Sequence, residues 1–177
     1  MQLKQSVSAQ DHGQGGDNAD VTLVEYGDYQ CPHCGRAHPI VKRLEKHFGE
    51  ALRFVFRNFP LAEMHPLAEP AAEAAEFAAA HGKFWEMHDG IFEHQSQLSI
   101  ELLLSLAKSN GLDSQALADA LDDDSFQERV KSDFMSGVRS GVNGTPTFFI
   151  NGRRHDGPPD FEHLSSAIEA AKQAAGE

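Results

Sequence analysis

The 177 residues carry 15 Lys and Arg against 27 Asp and Glu, a net charge of −12 with histidine neutral, and 40% are hydrophobic. That composition belongs to a globular chain long enough to bury a core, and it excludes wholesale disorder and collagen-like or fibrous repeats. A surface this acidic repels phosphate backbones, which argues against nucleic-acid binding, and no stretch approaches the roughly 18 apolar residues of a membrane span.

Residues 1–20 are rich in Gly, Gln, Ser and Asp and read as a mobile tail. They show no basic start, apolar stretch or cleavage site of a secretion signal. The expectation is a cytoplasmic protein, or a periplasmic one if a leader has been trimmed away. The first structured run, Val21-Thr22-Leu23-Val24-Glu25-Tyr26, is β-branched and apolar and stops at Gly27-Asp28, as a buried strand does. After Cys31-Pro32-His33-Cys34 comes a helical pattern, Ile40, Val41, Leu44 and Phe48, with Gly49 as its stop. Pro32 fits the first turn, where its missing N–H would have been unpaired. Pro39 lies inside the run and should kink or divide the helix.

Leu52–Phe59 is a second strand, ended by Pro60. From about His65 to Val138 strand signals give way to about five short helices. These are an Ala-rich run over 68–80 with Gly82, a run over 83–93, one after Ser99 with Gly111, one after Asp113, and one behind a capping box of Ser125 and Glu128. Phe84, Trp85, Met87, Ile91 and Phe92 read as helix core. Asp122-Asp123-Asp124 reads as a loop, since adjacent acids lack the spaced ligands of a calcium loop. Strand chemistry returns at Thr145–Ile150, Asn151-Gly152 is a hairpin signal, Arg153–His155 is the return strand, and a last helix spans Phe161–Ala175. The order is βαβ, then helices, then ββα. This is an α/β chain with an inserted all-helical subdomain: a tail over 1–20, an α/β domain over 21–62 and 139–177, and a helical insertion over 63–138.

The chemistry lies in the C-x-x-C between a strand and a helix. A helix start presents unpaired N–H groups and the positive end of the macrodipole. Both favour thiolate over thiol and pull the first cysteine below the free value of about 8.5. Three-residue spacing lets the second sulfur close a disulfide with the first. Cys31 is therefore expected to be the exposed nucleophile, and Cys34 the more buried thiol that resolves the mixed disulfide. His33, within one turn of both, adds charge or a hydrogen bond and biases the pair toward oxidation. Glu25, at the end of a core strand, is costly to bury as a carboxylate and is a candidate base. Asp28 reads as a turn residue.

The strand ending in an acid, the Cys-Pro-His-Cys helix start, the helical insertion and the Gly-Thr-Pro-Thr-Phe-Phe-Ile-Asn-Gly segment together resemble the DsbA-like thiol–disulfide oxidoreductases of the thioredoxin superfamily, over Val21 to Ala175. The resemblance implies that the α/β part, 21–62 and 139–177, is a thioredoxin-like fold carrying the all-helical insertion, and that Cys31 and Cys34 are the redox pair, with Pro32 and His33 between them. It implies that Pro146 is the cis-proline facing the disulfide, and that Thr145 pairs its backbone with substrate. It also implies that Glu25 is a buried acid that moves protons for Cys34. Arg53 or Arg57 could be the basic partner of that acid. No cofactor and no metal is required, because the cysteines carry the electrons. The implied partners are protein thiols and disulfides and an unidentified redox partner, with no nucleic acid and no membrane. Compartment sets whether the enzyme runs as oxidase, reductase or isomerase.

Two other classes stay open on the residues alone. A metal-binding module would use the cysteines with histidines such as His33 and His38, although no second cysteine pair exists to complete a four-ligand zinc site. A chaperone-like module would bind unfolded chains with redox incidental. The sequence displays no clear apolar peptide groove.

Overall fold

The polar start of the chain is tied down. The computed structural model describes residues 1–176, and in it His12–Gly15 forms strand β1. The expectation of a loose tail over 1–20 is corrected here, for an electrostatic reason. Arg57 is 1% exposed, and a buried guanidinium must be paired. Asp11 takes its Nε at 2.8 Å and Nη2 at 3.0 Å, and the carbonyls of Gln5 and Ser6 and the Tyr26 hydroxyl accept from it as well.

The other elements follow in chain order: β2 (Val21–Gly27), α1 (Pro32–Phe48), β3 (Leu52–Asn58), α2 (Ala68–Ala80), α3 (Phe84–Glu93), α4 (Ile100–Ser109), α5 (Ser114–Asp122), α6 (Gln127–Arg139), β4 (Thr147–Ile150), β5 (Arg153–Arg154) and α7 (Phe161–Ala175). Pro39 does not divide α1. It deletes one bond from a 17-residue ladder that continues on both sides. Ser99 and Asp113 cap α4 and α5 as their sequence positions suggest, accepting N–H groups of the first turns. Ser125 does not cap α6: its hydroxyl donates to Asp123 instead.

The chain divides into two compact units, Met1–Gly27, Arg36–Arg57 and Met135–Glu177 in one, Asp28–Gly35 and Asn58–Phe134 in the other. The first holds a sheet in the order β1-β3-β2-β4-β5. β2 and β4 run antiparallel, with Glu25 opposite Phe148. Asn151 and Gly152, with φ of 45° and 78°, make the tight turn into β5. α7 covers β2 and β4, burying Leu164 and Ile168. Gly27 closes β2 because a Cβ there would lie 2.4 Å from the Phe56 ring.

The second unit is built around α2, an alanine-rich helix buried along most of its length. Its alanines let α3, α4 and α5 pack against it. A polar network closes one end. Asn58 donates its backbone and side-chain N–H groups to Asp133 and also bonds to Glu76, and Arg129 pairs with both acids. Burial raises the Asp133 pKa, and Arg129 opposes it only in part. Phe59 stacks on Phe134 beside this network, ring centroids 4.3 Å apart.

Candidate active site

The cysteine turn belongs to the helical unit, and one buried carboxylate organises it. Asp28 is 1% exposed. Its Oδ1 accepts the backbone N–H groups of Gln30 at 2.8 Å and Cys31 at 3.1 Å. Its Oδ2 accepts the N–H of Leu61 at 2.9 Å and lies 2.8 Å from Nδ1 of His65. A carboxylate only accepts, so that ring nitrogen carries the proton. The Asp28 N–H points at Sγ of Cys34, 3.4 Å away. Asp28 is thus a turn residue, as the sequence suggests, but one that pins the first cysteine's amide and the second cysteine's sulfur with a single residue.

Gln95 covers the turn from the other side. Its Nε2 donates to the carbonyls of Tyr29 at 2.9 Å and Cys31 at 2.8 Å. This contact requires Gly35, because a Cβ there would come within 2.1 Å of Gln95 Oε1. Gly35 returns its N–H to the Cys31 carbonyl at 3.1 Å, the first helical bond of the turn. Tyr29 packs on Phe92 and shares a hydrogen bond with Nδ1 of His88 at 2.9 Å. Asp28, Gln95 and His65 escaped the sequence reading as site residues, since no local motif marks them.

Cys34 is 0% exposed and Cys31 only 4%. The expectation of an exposed nucleophile is therefore corrected. The order of burial is as expected, but the Asp28 and Gln95 contacts draw the first cysteine's backbone inward, and the exposed residues of the motif are Pro32 and His33. Glu25, Thr145 and Pro146 lie in the other unit. Glu25 is 2% exposed within β2. The Thr145–Pro146 peptide is cis, and both residues are partly exposed just before β4. Of the two arginines considered for Glu25, Arg57 is engaged by Asp11 and the Tyr26 hydroxyl, and Arg53 by Asp17.

The helical unit also presents an apolar cavity of about 580 Å³, with Leu61, Met64, Val130 and Phe134 in its walls. No local pattern along the chain marks this cavity. Leu61 connects it to the site, because its N–H is the one that Asp28 binds.

The thioredoxin family model matches residues 8–170. The chain belongs to this family, and its fold and Cys31–Cys34 pair make it a DsbA-like member of the thioredoxin superfamily. Among solved structures it is similar to BdbD from Bacillus subtilis, with 28% identity and a TM-score of 0.85, covering 92% of this chain and 93% of that one. A thioredoxin-like oxidoreductase from Silicibacter pomeroyi is 26% identical, with a TM-score of 0.79 and 94% of each chain covered. A curated relative, the Na(+)/H(+) antiporter NhaA 3 of Salinispora tropica, is 45% identical over 165 residues, 93% of this chain but 25% of that protein. The chain thus spans about a quarter of the length of the curated relatives it matches. Among the described residues, no helix is long and apolar enough to cross a membrane.

Proposed function

We propose that this protein exchanges disulfides with protein thiols through a mixed disulfide at Cys31, resolved by Cys34, with no cofactor. The observation that carries this reading is the Asp28 clamp, which holds the Cys31 amide at the helix start and aims an N–H at the Cys34 sulfur. In the oxidising direction a substrate thiolate attacks Sγ of Cys31. The Cys31–Cys34 bond breaks, and its electron pair leaves on Sγ of Cys34, where the Asp28 N–H stabilises the charge. A second substrate thiolate then attacks the substrate sulfur of the mixed disulfide and expels Cys31 as thiolate. Two electrons pass from substrate to protein, and the substrate gives up two protons. The reducing direction is the reverse, and the redox poise of the compartment chooses between them. His33 tunes the thiolate, Glu25 serves the proton traffic of Cys34, and Thr145 and Pro146 receive the substrate backbone.

The antiporter name belongs to proteins of which this chain spans a quarter, and nothing in the Cys-Pro-His-Cys geometry bears on ion transport. The test is a pair of variants. Cys31→Ser is expected to abolish insulin reduction and dithiol oxidation, and Cys34→Ala to accumulate mixed disulfides visible on non-reducing gels. Unchanged rates in Cys31→Ser would falsify the proposal.

A further inference from the structure

The helical unit carries a second cavity, of about 420 Å³. Four carboxylates line it: Glu69 and Glu73 from α2, Asp122 at the end of α5, and Asp124 in the turn before α6. No lysine, arginine or histidine lines it, and no ion pair reaches any of the four among the described residues. Glu73 is 4% exposed, and its Oε1 has no hydrogen-bond partner among the described residues. Burial, then the charges of Asp124, Glu69 and Asp123, push its pKa up to about 7. A buried acid left without a donor amid like charges is a standing demand for a cation.

The chemistry of that cation can be narrowed. No three of these carboxylates bring oxygens within 4.8 Å of one another, so the site lacks the dense oxygen shell of a calcium ion. Apart from Gln127 the remaining walls are apolar, with Pro66, Pro70, Ile100 and Leu121 among them. Such walls suit the aliphatic stem of a side chain whose charged head reaches the acids. Ala62, Glu69 and Gln127 line both this cavity and the apolar one. Next to Ala62 stands Leu61, bonded to the carboxylate that holds the Cys31 amide. A chain lying along the apolar cavity would therefore bring a neighbouring side chain to the acids.

We propose that the acidic cavity is a subsite for a lysine or arginine side chain of a polypeptide client, with Glu73 as its anion and Glu69 and Asp124 in support. The inference rests on the disulfide-exchange reading for what the client is, but its test needs no thiol chemistry.

Calorimetric titration at about pH 8 compares three probes: a cysteine-free decapeptide with one lysine among apolar residues, its norleucine counterpart, and n-butylammonium chloride. The lysine peptide is expected to bind about tenfold more tightly than the norleucine peptide, as a desolvated charge pair allows. That preference is expected to vanish in Glu73→Gln, and also in the unaltered protein at about pH 5.5, where Glu73 keeps its proton. Should Glu73→Gln not fold, Glu69→Gln serves the same comparison, with a reduced preference expected. Equal binding of both peptides, a preference untouched by these changes, or binding of butylammonium without the peptide would each overturn the proposal. A lysine preference in a protein whose Cys31→Ser variant loses no redox activity would leave the subsite standing and remove the exchange reading.

Discussion

Asp28 accepts from three backbone amides and a histidine while its own amide serves a sulfur, so its replacement touches everything around the cysteines. Asp28→Ala leaves the N–H groups of Gln30 and Leu61 and the His65 ring without this acceptor, at about 1–3 kcal/mol for each group that stays buried, whereas the Cys31 N–H keeps the backbone carbonyl of residue 28 at 3.1 Å. Urea unfolding should show a loss of about 3 kcal/mol or more, and alkylation of Cys31 by iodoacetamide should change rate in the folded protein as the side-chain bond to its amide is lost. Asp28→Asn, which keeps one carbonyl oxygen, should lose less. His33 is exposed and lies between the two cysteines in the chain, and its replacement by a neutral residue should leave stability nearly unchanged. It should nevertheless raise the Cys31 titration, followed as thiolate absorbance against pH, and make the pair more reducing. An unmoved titration would remove His33 from the account.

Helix α2 is buried on almost all sides and yet carries Glu73. In the unfolded chain this carboxyl titrates near 4.5, whereas in the folded protein it does so near 7, chiefly because of burial. Below pH 4.5 it is neutral in both states and costs nothing. As pH rises toward 7 the unfolded chain ionises freely while the folded one resists, so stability falls across that interval by about 3 kcal/mol. Glu73→Gln should therefore match the parent near pH 4 and exceed it near pH 8, read from urea midpoints. The first turn of α1 makes a different demand. Gly35→Ala would drive a methyl group into Gln95, and the lost carbonyl contacts should appear as faster amide exchange around Tyr29 and Cys31.

For the molecule as a whole, the N-terminal segment is a structural strap. Arg57 is buried in the first unit, and Asp11 is its anion, with side-chain exposures of 1% and 7%. Asp11→Asn leaves a buried cation without its partner charge, a loss of about 3–5 kcal/mol for pairs of this kind. Thermal unfolding should fall by many degrees, whereas a strap that was merely decorative would leave the midpoint within the few tenths of a kcal/mol of an ordinary surface change.

Apart from β1, the strands and helices, the caps at Ser99 and Asp113, the Asn151-Gly152 hairpin and the Cys31–Cys34 turn could be read from neighbouring residues. Periodicity, capping and turn chemistry act over a few positions, and their signals are local. What could not be read is what joins distant positions: His65 to Asp28 across 37 residues, Gln95 to the Cys31 carbonyl across 64, and Arg57 to Asp11 across 46. The same holds for Cys31, whose burial depends on those contacts, and for the gathering of Glu69, Glu73, Asp122 and Asp124 around one cavity. Each of these follows from packing that brings remote side chains out of water together, where an unpaired polar group is costly, and no period along the chain encodes which partner will be waiting.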